Sequence, residues 1–206
     1  MSSTVAVCVP TIPPRRAYLG SALESVFEQT HPVDEVHVAV DVRGDGASAT
    51  RNRAWRAAST EWVAFLDDDD LLHPQHVERL LATSDDADLV YPWFDLPNGV
   101  DPLAVRVAGQ LVSPYGLPFG DDHRAHILNE GNFVPVTVLV RRSLLDEVDG
   151  FPATRSARWS HDQCEDWGCW QDMLRAGARF KHLPERTWTW RWHGRNTSGK
   201  SWRSVA

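Results

Sequence analysis

The chain has 206 residues, 42% of them hydrophobic and 24% charged, an ordinary balance for one globular domain with a sizeable core. Its formal charge of −7 argues against a generic binder of the nucleic-acid backbone, which shows as a basic excess. The opening MSSTVAVCVP has no basic segment leading into a long apolar one, and no apolar run approaches the ~20 residues that cross a bilayer, so a soluble, cytoplasmic protein is expected.

Residues 5–9 (VAVCV) form a short, nearly all-apolar run ended by Pro10, the pattern of a central parallel strand covered on both faces. Leu19, Ala22, Leu23, Val26 and Phe27 then recur at helical spacing. A second strand over 36–40 (VHVAV) ends in Asp41 and the glycine-rich turn VRGDGAS; 50–58 is Ala- and Arg-rich and reads as helix; 62–66 is a third strand. Pro74 suits the first turn of a helix that turns Val77, Leu80 and Leu81 inward, and 89–93 is a fourth strand. This alternation predicts an α/β fold of the doubly wound type, with ligands beyond the carboxyl ends of the strands.

From 97 to 131 the pattern loosens into Pro, Gly and polar residues, which predicts a long surface connection. A strand over 136–140 and a short helix over 143–148 closed by Gly150 follow. Residues 152–163 have no period and read as a loop, a candidate lid carrying Arg155, Arg158 and His161. A helix over 165–176, with Trp167, Trp170 and Leu174 on one side, stops at Gly177; strands over 179–183 and 187–192 finish the pattern. No internal repeat or low-complexity tract is present.

Cys8, Cys164 and Cys169 are odd in number and widely spaced, which favours reduced thiols; the HxxCxxxxC spacing from His161 matches no common zinc pattern. Of ten tryptophans, seven fall in the last quarter, which predicts a core or an aromatic-lined cleft there. No GxxxxGK[ST] or GxGxxG motif occurs, and Asp41 to Asn52 fails as an EF-hand because Arg43 and Asn52 stand where ligands are needed. His31, His37, His73, His76 and His123 lack metal-binding spacing and are expected at the surface or in packing.

The stretch EWVAFLDDDDLLHP puts four consecutive aspartates, Asp67 to Asp70, directly after an apolar strand. One aspartate would serve to favour the dipole of the helix near Pro74. Four together at the mouth of a parallel sheet fit Mg2+ or Mn2+ better, because hard cations take one or two carboxylates plus phosphate oxygens and water.

In order along the chain, VAVCVPTIPPRRAYLGSALESVFEQTHP, DEVHVAVD, ATRN, EWVAFLDDDDLLHP and CEDWGCWQDMLRAGARFKHLPERTWTWRWHGRNTS resemble the inverting, GT-A-fold glycosyltransferase family 2, and FVPVTVLVRRSLLDEVDGF resembles the strand and helix before its ED motif. The resemblance covers most of the chain outside 97–131. It implies a single GT-A domain, a Rossmann-like open mixed sheet flanked by helices, with a nucleotide-sugar-binding half over 1–96 and an acceptor and catalytic-base half over 97–206. It further implies metal-dependent transfer of a sugar from a nucleotide-diphosphate donor, most often UDP-linked, to an acceptor hydroxyl. Nothing identifies that acceptor as saccharide, lipid-linked, protein or modified base.

Residue by residue, the resemblance implies that Asp41 meets the nucleobase, with Pro10 and Thr11 beside it, and that Arg51 lies on the nucleotide side. Asp67 and Asp69 match the DxD pair, the first toward ribose and the second on Mn2+ or Mg2+; Asp68 belongs to the same donor-binding group, and Asp70 is a neighbour of undivided role. Asp166 in EDW matches the catalytic base, although Glu-Asp at a helix start also serves simply to favour the dipole. His193 matches a histidine near the metal or diphosphate, and Arg191 and Arg195 are placed to neutralise phosphate. A catalytically idle carbohydrate or nucleotide module on the same fold, and a phosphotransferase with an aspartyl nucleophile, are the competing readings.

Overall fold

Val5–Thr11 forms β1, and every one of its residues is buried. Val5, Val7 and Val9 point into one layer and Ala6 and Cys8 into the other, so the strand has no solvent face and its sequence does not alternate. A 3-10 turn (Pro13–Arg15) leads into α1 (Arg16–Phe27), followed by β2 (Glu35–Val40), α2 (Ala47–Ala57), β3 (Trp62–Phe65), β4 (Leu71–Leu72), α3 (His76–Thr83) and β5 (Leu89–Asp95). The rest comprises β6 (Val105–Val107), β7 (Gln110–Val112), α4 (Asp121–Asn129), β8 (Leu139–Arg141), α5 (Arg142–Glu147), α6 (Glu165–Arg175) and β9 (Phe180–Thr189). This is a computed structural model, which describes residues 3–96, 105–107, 110–112, 117–153 and 165–191.

Seven strands make one sheet in the order β2-β1-β3-β8-β5-β9-β4, and β6 pairs with β7 as a separate hairpin. β1 is parallel to both β2 and β3, whereas β8 runs antiparallel between β3 and β5, which makes the sheet mixed, as expected. One apolar layer joins Ala22 and Val26 of α1 to Val77 and Leu80 of α3; the other joins Trp55 of α2 to Trp170 and Leu174 of α6. His76, fully buried, ties α3 to β9 through Thr187 Oγ1 at 2.9 Å, a packing role. No helix among the described residues is long and apolar enough to cross a membrane.

Three expectations need correction. The segment over 97–131 is not a plain surface connection, because it carries the β6–β7 hairpin and α4. The sequence DDHRAHILN hides that helix: its buried side is made by His123, His126 and Ile127, so no apolar periodicity marks it. The two terminal strands are a single one, β9, whose pairing with β5 shifts register at Pro92/Trp93 and again at Trp93/Phe94. These irregularities carry the strand through Pro184, which would otherwise end it. Helix α2 also starts earlier than its composition suggests, at Ala47, after Gly46 adopts φ 94°, a conformation open to glycine.

Candidate active site

Because β1, β2 and β3 are parallel, their carboxyl ends reach the same edge, and the three polar segments that follow them meet there. After β2, Asp41 turns inward and is buried. Its Oδ1 accepts the N–H groups of Gly44 and Asp45 at 2.7 and 2.9 Å, and its Oδ2 accepts that of Gly46 at 3.0 Å. Burial alone would raise its carboxyl, but these three bonds outweigh it and hold the group below its usual range. Asp41 therefore organises the loop into α2. Pro10 is buried in β1 opposite Ala39 of β2, two residues before Asp41.

The aspartate row after β3 divides its partners among three arginines. Asp68 is held on both oxygens, by Thr11 Oγ1 at 2.6 Å and by Arg15 Nη1 at 2.9 Å. The same Arg15 nitrogen lies 2.8 Å from Asp69 Oδ2. Arg51 Nη2 donates to Asp67 at 2.6 Å while its Nη1 donates to Glu165 at the start of α6. Asp70 accepts the Arg191 backbone N–H at 2.9 Å, and Arg191 Nη1 reaches Ser21 of α1 at 2.9 Å. Arg191 thus straps the end of β9 onto α1 and the row.

One carboxylate oxygen from each of Asp67, Asp69 and Asp70 comes within 4.8 Å of the others. Burial raises Asp70 well above the usual carboxylate range, and the charges of Asp67 and Asp69 raise it further. Oxygen donors crowded against their own repulsion are the donor set a hard divalent cation takes, so the residues fit Mg2+ or Mn2+. Asp68 lies outside this trio, whereas Asp70, whose role the sequence does not separate, belongs to it.

Asp166 is the second residue of α6 and is half-buried. Its Oδ1 accepts the Trp167 N–H at 2.7 Å, and among the described residues it forms no ion pair. Burial and the neighbouring Glu165 raise its carboxyl, against the opposing pull of Arg51. Of the adjacent pair, Glu165 is the one anchored by Arg51.

Arg51 is buried and connects the carboxylates of Asp67 and Glu165. Arg15 and the Arg51–Glu165 bridge are the two features that sequence reasoning missed. The signal for the first was PPRR directly after a strand that ends at the same sheet edge as the aspartates. His193, Arg195 and the 154–163 part of the candidate lid lie outside the described residues, as do His161 and Cys164. Cys8 and Cys169 are free and buried in the core. Trp170 and Trp188 are core residues, and Trp167 donates to Ile127 O at 2.7 Å to seat α6 on α4.

The model of the family described as "Glycosyl transferase family 2" matches residues 40–149. An uncharacterized glycosyltransferase of Nostoc sp. is 26% identical over 210 residues, 87% of this chain and 62% of that protein. Among solved structures, S. aureus TarS 1–349 superposes with a TM-score of 0.66 at 21% identity, over 90% of this chain and 60% of its own. Mannosyltransferase PcManGT from Pyrobaculum calidifontis, in complex with GDP-Man and Mn2+, gives 0.61 at 15% identity over 89% and 55%. The chain spans less than two thirds of the length of each of these relatives.

Proposed function

The chain belongs to glycosyl transferase family 2 and has the GT-A fold, and from that premise we propose that it transfers a sugar from a nucleotide-diphosphate donor to an acceptor hydroxyl with inversion. The observation that carries this reading is the trio Asp67, Asp69 and Asp70, gathered at the carboxyl edge of the sheet and tied through Arg51 to the helix that bears Asp166. Both TarS and PcManGT have been solved with nucleotide sugars, UDP-GlcNAc and GDP-Man respectively, and we take UDP as the first donor to test.

In this reading Pro10, Thr11 and the Asp41 loop form the nucleoside side of the cleft, with Asp67 and Asp68 beside the ribose. Asp67, Asp69 and Asp70 would hold a divalent cation, which would supply charge neutralisation for the diphosphate leaving group. Asp166 accepts the proton of the acceptor hydroxyl as its oxygen bonds to the anomeric carbon from the face opposite the diphosphate, whose bond to that carbon breaks. A base raised toward neutrality is suited to that proton transfer, because it is ionised at working pH yet still basic. Glu165 and Arg51 orient the helix start, with Arg51 on the nucleotide side beside Asp67. Residues 1–96 then make up the donor half and 97–206 the acceptor half.

The reading is tested by calorimetric titration with UDP, GDP and dTDP, each with and without Mn2+. Binding of at least one diphosphate, strengthened by Mn2+ and lost in Asp69→Ala, is expected. Absence of nucleotide binding under every condition overturns it. Slow hydrolysis of a UDP-sugar by the parent, abolished in Asp69→Ala, excludes the idle-module alternative.

A further inference from the structure

We propose that Arg15 is a resident counter-ion of the aspartate row, which the divalent cation displaces from Asp69, so that cation and nucleotide diphosphate bind as a coupled pair. The inference rests on the reading of the site given above and adds a residue and a coupling to it.

Arg15 ends the 3-10 turn between β1 and α1, where Pro13 and Pro14 restrict the backbone and its own N–H donates to Ile12 O at 3.0 Å. From that position a single nitrogen, Nη1, serves two carboxylates, Asp68 at 2.9 Å and Asp69 at 2.8 Å. Asp68 is pinned on its other oxygen by Thr11 at 2.6 Å, whereas Asp69 belongs to the trio whose oxygens converge within 4.8 Å.

A cation seated on Asp69 would stand within about 5 Å of Nη1, since carboxylate oxygens bind Mg2+ or Mn2+ at roughly 2 Å. Two positive centres at that separation, both largely withdrawn from water, repel strongly. Arg15 is 13% exposed and Asp69 5%, so solvent screens little of this. Asp68 keeps hold of the guanidinium while Asp69 changes partner. A diphosphate brings the negative charge that lets the cation and the displaced guanidinium share the cleft, and Arg15 then acts as a positioning residue for that anion.

Mn2+ binding is measured directly by the loss of the free-ion electron paramagnetic resonance signal, with and without UDP, in the parent and in Arg15→Gln. Arg15→Gln is expected to bind Mn2+ alone about tenfold or more tightly than the parent, as relief of one close charge repulsion implies. UDP should strengthen Mn2+ binding less in the variant than in the parent. Equal or weaker Mn2+ binding by folded Arg15→Gln overturns the proposal while leaving the function above intact, provided the parent binds Mn2+ with UDP. A parent that binds no Mn2+ even with UDP overturns both. Should the single variant fail to fold, Arg15→Gln combined with Asp68→Asn leaves no unpaired charge at Asp68 and must show the same tightening.

Discussion

Arg51 Nη2 lies 2.6 Å from Asp67 Oδ1, and through its other nitrogen the same buried guanidinium holds Glu165, 98 positions beyond Asp67 in the sequence. The row after β3 and the start of α6 are thereby one electrostatic unit. Arg51→Met should cost about 3–5 kcal/mol, because it strands two carboxylates at buried or half-buried positions. Adding Glu165→Met should recover part of that loss. Denaturant unfolding measures both; a single-variant cost below about 1 kcal/mol would show that the bridge contributes little.

Asp166 should trade stability for chemistry. Its carboxyl is raised from 3.8 to about 7, with burial the larger cause and Glu165 the second. Below about pH 4 the folded and unfolded chains both hold that proton, and it has no effect. As pH rises toward 7 the unfolded chain loses the proton while the folded one retains it, so the cost grows and is complete above 7. Asp166→Asn should therefore be more stable than the parent at pH 8, by on the order of 1–3 kcal/mol, with no gain near pH 4. Thermal melts at the two pH values check the sign.

The same shift sets the acid limb of activity. With Asp166 as the base, kcat/KM should fall about tenfold per pH unit below roughly pH 7, and Asp166→Asn should lower turnover by ~10²–10⁴-fold while donor affinity holds. A residual activity that keeps the parent's acid limb would place the base on another residue.

Asp70 is raised by burial first and by Asp67 and Asp69 second, so its charge is costly in the absence of a cation. Asp70→Asn should raise the melting temperature in chelator and lower it relative to the parent in excess Mn2+, with Mn2+ affinity down by about tenfold or more. Identical Mn2+ affinities would remove Asp70 from the cation site.

Gly150 is held at φ +70°, and a Cβ there would meet Asn52 Oδ1 at 2.4 Å and Trp55 Nε1 at 2.6 Å. That asparagine accepts the Phe151 N–H at 2.9 Å and donates to Phe151 O at 2.8 Å, which locks α2 to the segment after α5. Gly150→Ala should cost about 2–4 kcal/mol, because backbone strain and overpacking add. Urea unfolding of the variant, with a loss under about 1 kcal/mol, would show that the turn relaxes.

Much of this architecture is written in local pattern. Buried runs such as VAVCV and WVAF have one stable environment, a sheet covered on both faces, and an aspartate row directly after one of them must emerge at a strand's carboxyl end. What the sequence could not mark is whatever depends on contacts distant along the chain. Helix α4 buries histidines rather than aliphatic residues, and β9 runs through a proline because β5 shifts register beside it. Four identical aspartates are chemically equivalent on paper. Tertiary structure made them different, by bringing Thr11 and Arg15 to Asp68, Arg51 to Asp67 and the Arg191 amide to Asp70. Sequence by itself determined that carboxylates would crowd one sheet edge; only the folded chain decided which are neutralised and which converge, since charge interactions depend on distance in space and not along the chain.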